Sequence, residues 1–308
     1  MRHNTPFRQA SRRSLILGAL AAAASWSALA QGNNNVRLVV PFTPGGSTDI
    51  LARAIGPFLA SGSDQSVVID NKPGAGGSIG AELVAKAKPD GLTLMMGHIG
   101  TLAVNPSLYP KLGYDPINSF DPVIGVARVP NVLVVPAGSD VKTLKDLIAK
   151  AKARPGHMTY SSGGNGSAAH TTFELLKMRA GIFVSHIPYR GAAPSVTDVI
   201  AGHVDAIFTG SPALLPHIRS GRLRALAVSS TSRLPTLPDV PTVAESGFPG
   251  FEADQWYGLV APAGTPAHVI KRLNEAANAG LKNPEVAKSL ATEGAVPLGG
   301  TPEAFGAL

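Results

Sequence analysis

A chain of 308 residues with 44% hydrophobic residues exceeds one ordinary core and points to two domains or lobes. It contains no cysteine, which excludes disulfides, thiolate nucleophiles and cysteine-ligated metals and leaves the chain compatible with an oxidising compartment. The formal charge is +7, falling to +3 without Arg2, Arg8, Arg12 and Arg13; the other basic residues are scattered without interleaved aromatics, which argues against a nucleic-acid groove.

Residues 1–30 combine a basic start, an apolar stretch from Leu15 to Ala24 and the small-x-small pattern Ala28-Leu29-Ala30, the grammar of a signal peptide. The apolar stretch is shorter than the roughly 20 residues of a spanning helix. Ser11-Arg12-Arg13-Ser14-Leu15 fits either a twin-arginine or a general export route. The β-branched run Val36 to Val40 predicts a strand, ended by Pro44, and Gly45-Gly46 gives the tight approach to an amphipathic helix carrying Ile50, Leu51, Ala54, Ile55 and Phe58. Ser47, Thr48 or Asp49 is expected to cap that helix, whose free amides make an anion-ready start.

Val67-Val68-Ile69 predicts a second buried strand, and the glycine turn from Gly74 to Ser78 leads to a helix with Ala81, Leu83 and Val84. Leu92 to Met96 predicts a third strand, so strand and helix alternate as in a parallel sheet covered on both faces. His98 to Thr101 then stands at the carboxyl edge, where such sheets form a crevice. Residues 104–122, with four prolines, read as an irregular excursion; Val132 to Pro136 predicts a strand and Ser139 to Lys142 a helix start.

A second turn of the first design runs from Thr159 to His170, again from a short strand into an amphipathic helix. Gly164-Asn165-Gly166-Ser167-Ala168-Ala169 matches a dinucleotide fingerprint, but no acid follows about 20 residues on, so a carboxylate or ordered waters suit its hydroxyls and amides better. Strands are predicted at Val184 to Pro188 and Val204 to Phe208 around a helix from Ala193 to Ala201. Asp205, inside the second, needs donors from loop amides, a ligand amine or an arginine. His170, His186 and His203 lack zincin spacing, and no metal or cofactor is expected. Leu223 to Val228 and Trp256 to Pro262 predict two further strands, and Pro266 to Leu281 and Pro284 to Thr292 two helices.

Six stretches in this order, Pro44 to Asp49, Asn71 to Gly77, Tyr160 to Gly163, Pro188 to Gly191, Leu237 to Thr242 and Trp256 to Gly258, resemble the Bug (TctC-type) periplasmic solute-binding proteins, receptors of tripartite tricarboxylate transporters. The resemblance implies an α/β, two-lobed periplasmic-binding-protein fold, each lobe a mainly parallel sheet flanked by helices. Residues 36–130 and 258–308 would form lobe one and residues 131–257 lobe two, with hinges near Val129 to Val135 and Trp256 to Val260. It further implies a monomer in the periplasm that holds a small carboxylate in the cleft and presents it to membrane transporter subunits, without catalysis. Carried onto this chain, the first ligand loop is Gly45, Gly46, Ser47, Thr48 and Asp49. The second supplies Ser162, Asn165, Gly166, Ser167 and His170, with Phe42 and Asp205 as neighbours. Family members continue past the position of Phe305 with another helix, so an unpaired patch on lobe one is expected. The rival reading is a secreted serine hydrolase built on the elbow-like Gly76-Gly77-Ser78-Ile79-Gly80.

Overall fold

The structure is a computed structural model that describes residues 35–61 and 65–308; the signal-peptide expectation lies outside them. The chain begins β1 (Val36–Val40), α1 (Ser47–Leu59), β2 (Val67–Asn71), α2 (Ser78–Ala85) and β3 (Thr93–His98). β1 pairs in parallel with both β2 and β3. Leu38 and Val40 pack on Leu51, Ile55 and Leu59 of α1, while Val39 on the opposite face meets Ala81 and Val84 of α2. Burial on both faces explains why β1 is apolar at nearly every residue. β2 is the sheet edge and only partly buried, with Val68 exposed on it.

After α3 (Asn105–Leu108), β4 (Phe120–Val129) occupies part of the segment expected to be irregular. Pro122, counted with the irregular segment, and Gly125 are both accommodated in its pairing with β10 (Gln255–Pro262), whose register shifts between Tyr257 and Gly258 and again between Leu259 and Val260. β10 runs antiparallel between β3 and β4, and β11 (Val296–Gly299) adds antiparallel to β4. The first sheet is thus mixed, in the order β11-β4-β10-β3-β1-β2.

From β4 the chain passes through Pro130 into β5 (Asn131–Pro136), an inner strand of a second sheet. Here β6 (Thr159–Ser162) is parallel to β7 (Ser185–Pro188) and β8 (Ala206–Gly210), while β5 runs antiparallel to β8 and β9 (Leu223–Val228). This sheet is also mixed, in the order β7-β6-β8-β5-β9. Alternate β5 residues serve two cores: Leu133 and Val135 face α4 (Leu144–Ala153) and α5 (Ala168–Ala180), Val132 and Val134 face α6 (Ala192–Ile200) and α7 (Leu215–Arg219). The helix expected from Ser139 starts later: Thr143 is its cap and exchanges a reciprocal pair of hydrogen bonds with Asp146. α8 (Ala267–Lys282) and α9 (Pro284–Thr292) return to the first sheet, and α10 (Pro302–Ala307) sets Phe305 against Gly258 and Trp256.

Candidate functional site

Both sheets direct loops into one narrow pocket of about 30 Å³. The first wall is the β1–α1 turn. Gly45 has φ 84°, and Gly46 caps α1 from extended backbone without any side chain accepting the first-turn amides. The expected cap from Ser47, Thr48 or Asp49 is therefore not made. Asp49 instead turns back under the loop: its carboxylate accepts from Gly45 N (3.0 Å), Arg53 Nε (2.9 Å) and Asn71 Nδ2 (3.0 Å). Burial opposes its charge, but these donors hold its carboxyl below the ordinary range. Asp49 shapes the loop, and Ser47 and Thr48 are left facing the pocket.

The second wall is the β6–α5 turn, where Ser167 Oγ accepts from His170 N and Ala168 and Ala169 line the pocket. Ser162 supports this turn from below, accepting from Gly164 N (3.1 Å) with its Oγ 2.7 Å from His186 Nε2. His170 accepts from Gly166 N through Nδ1 (3.2 Å) and stacks on His186 with ring centres 4.4 Å apart. Burial lowers the pKa of both histidines, that of His186 to about 4. Asn165 and Gly166 form the tip of the turn, which lies on the first half of the molecule. Tyr109 Oη donates to Asn165 O (3.1 Å), and added β-carbons at Gly76 and Gly100 would come within 2.2 Å of Asn165 O and 2.6 Å of Gly166 O.

A third helix start, predicted as a helix but not as part of the site, completes the ring. Gly191 precedes α6 without a side-chain cap, and Ala192 lines the pocket. Thr209, His98, Gln255 and Tyr257 add neutral polar groups, and no charged side chain is among the lining residues. Gly100 N donates to His98 Nδ1 (2.9 Å), so Nε2 carries the proton and donates to Gln255 Oε1 (3.2 Å). Burial lowers the His98 pKa to about 4 despite the Gln255 bond, and burial raises that of Tyr257. Three helix starts, two of them without a side-chain cap, around neutral donors make a site suited to an anion.

Of the expected site residues, Phe42, Gly46, Ser47, Thr48 and Ser167 meet at the pocket; Gly45, Asp49, Ser162, Asn165, Gly166 and His170 build the turns beside it. Asp205 is not brought there. Its carboxylate accepts from Thr159 N (2.8 Å) and Oγ1 (3.0 Å) at the amino ends of β6 and β8, whereas the pocket opens at their carboxyl ends. The crevice expected after β3 is present at His98. Thr209, Gln255 and Tyr257 were missed; strand polarity was the signal for Thr209, and Tyr257 sat inside a stretch already singled out. Ser78 Oγ accepts from Asn105 Nδ2 (3.0 Å) rather than meeting a histidine.

Residues 51–303 match the model of the tripartite tricarboxylate transporter family receptor. Protein BugT of Bordetella pertussis is 42% identical over 269 residues, covering 87% of this chain and 82% of that protein. Among solved structures, R. palustris Rpa4515 with adipate is 41% identical at a TM-score of 0.85, covering 88% of this chain and 91% of that one. MatC from Rhodopseudomonas palustris with bound malate is 33% identical at the same TM-score, covering 89% and 94%.

Proposed function

The chain belongs to the tripartite tricarboxylate transporter receptor family, and from that premise we propose that it captures a small carboxylate in the pocket between its two sheets and presents it to a membrane transporter. The observation that carries this reading is the convergence of the starts of α1, α5 and α6 on a pocket lined by no charged side chain. A carboxylate brings its own charge to such a site and finds amide and hydroxyl donors already oriented. The diacids named for two similar structures, adipate and malate, are the natural first probes.

We infer a periplasmic place of work and a binding rather than catalytic role. Among the described residues no helix is long and apolar enough to cross a membrane. Ser162 and His186, whose hydroxyl and imidazole are 2.7 Å apart, do not line the pocket. Titration calorimetry with diacids, amino acids, aromatic acids and nicotinate tests the reading, with binding of at least one carboxylate expected. Silence across the whole panel, or ester hydrolysis that disappears in Ser78→Ala, overturns it.

A further inference from the structure

The pocket is tied to both chain crossings by a continuous run of buried side-chain hydrogen bonds. Ser47 and Thr48, at the start of α1, line the pocket beside Gln255 and Tyr257. Tyr257 Oη and His98 Nε2 both donate to Gln255 Oε1, and Gln255 Nε2 donates to Asn131 Oδ1. Asn131 Nδ2 in turn donates to Thr172 Oγ1 of α5 (3.0 Å) and to Ala253 O (2.5 Å). Asn131 opens β5 where the chain enters the second sheet, and Gln255 opens β10 where it returns.

Neither amide can be reversed without loss. Turning Gln255 would face its NH₂ against the His98 N–H, and turning Asn131 would set its oxygen against the Ala253 carbonyl. Both side chains are 3% exposed or less, so neither can recover a lost partner from solvent.

We propose that Asn131 and Gln255 are a positioning pair, which holds the starts of α1 and α5 in register and thereby sets the affinity of the pocket. The consequence for affinity rests on the carboxylate-binding reading; the consequence for the helix starts does not. Asn131 and Thr172 do not line the pocket, so their influence on a ligand is indirect.

The test compares the full chain with Asn131→Asp and Thr172→Val, reading two things. The first is hydrogen-exchange protection of the Ile50 and Thr171 amides, which close the first turns of α1 and α5 onto Gly46 O and Ser167 O, against Leu94 in β3 as control. The second is adipate and malate affinity by calorimetry. In Asn131→Asp the ionised carboxylate accepts from Gln255 but has no donor for Ala253 O, whereas the protonated acid regains one. At pH 8, Asn131→Asp is expected to lose at least tenfold in protection at Ile50 and Thr171 with Leu94 unchanged, and at least tenfold in affinity. Both are expected to recover at pH 5. The titratable neighbours, namely Asp254, which accepts from the Ser229 hydroxyl that Asn131 N bonds, with Arg128 and Glu252 beside it, His98, Tyr257, and His170 and Glu174 on α5, are common to the parent. The parent therefore reports their own effect. Thr172→Val is expected to show a smaller loss at the same two amides at both pH values, and it decides the matter if Asn131→Asp does not fold at pH 8. Parental protection at Ile50 and Thr171, equal loss at Leu94, or no recovery at pH 5 overturns the proposal. So does unchanged affinity in a variant that has lost protection. If the parent binds neither diacid, the carboxylate reading has lost its first probes and protection alone decides the positioning role.

Discussion

Asp49 shows how a side chain can shape a pocket loop without facing the pocket. Its bonds to Gly45 N and Asn71 fix the path of the turn, while Arg53 neutralises its charge from the next turn of α1. Asp49→Ala is expected to weaken diacid binding about tenfold and to lower stability by about 1 kcal/mol, because the turn loses the acceptor that joins Gly45 N, Asn71 and Arg53. Calorimetry and denaturant unfolding check the two effects separately. His98 makes a prediction about pH. Its pKa in the fold is about 4 against an ordinary 6.5, so between these values the unfolded chain binds more protons than the folded one. Stability is therefore full above about pH 6.5 and is lost as pH falls towards 4, with a slope of at most about 1.4 kcal/mol per unit from this residue. In His98→Gln the slope over that window is expected to flatten in urea titrations at stepped pH.

At the scale of elements, the helix starts carry the site, and they were unequally legible. The turns into α1 and α5 announced themselves because glycines and small hydroxyl residues stand between a β-branched or hydroxyl-rich strand and an apolar helix face. The helix α6 was expected, but its part in the site was hidden: Gly191-Ala192-Ala193 offers no polar side chain, and its value lies in bare amides that only the fold aims at the pocket. β4 was hidden for another reason, since Pro122 and Gly125 interrupt its pattern and only its pairing with β10 reveals it as a strand. Asp205 was set beside the pocket because its acid stood out in an apolar run, although it precedes β8 and so lies at the strand end away from the carboxyl-edge crevice. Placing a carboxylate on α6 tests the role of its start. Ala192→Asp is expected to keep the fold, since an acid suits a first turn, yet to abolish diacid binding by occupying and repelling. Loss of calorimetric heat with an unchanged melting temperature is the expected result. Thr143→Ala is the matching control: removal of the cap on α4 is expected to cost about 1 kcal/mol and leave affinity alone.

Across the whole molecule, two mixed sheets are joined at Pro130 and again just before Gln255, and they meet once more beyond the pocket, where Asn165 and Gly166 lie on Gly76 and Gly100. Gly100→Ala would place a β-carbon 2.6 Å from Gly166 O and 2.9 Å from His98 Nδ1. That variant is expected to lose about 1–3 kcal/mol, because parting the two surfaces relieves the Gly166 contact but not the crowding of the buried His98 ring, and to show a larger radius of gyration by X-ray scattering with diacid present than the parent does.

That meeting surface is mostly main chain, with the Tyr109 phenol as a side-chain bond reaching across it. At that surface the two halves touch largely through bare peptide, so it adds little adhesive of its own. If the proposed carboxylate capture holds, how long a guest stays inside is governed by the guest's own bonds, residence time becomes a property of the cargo, and a poorly matched molecule is released early.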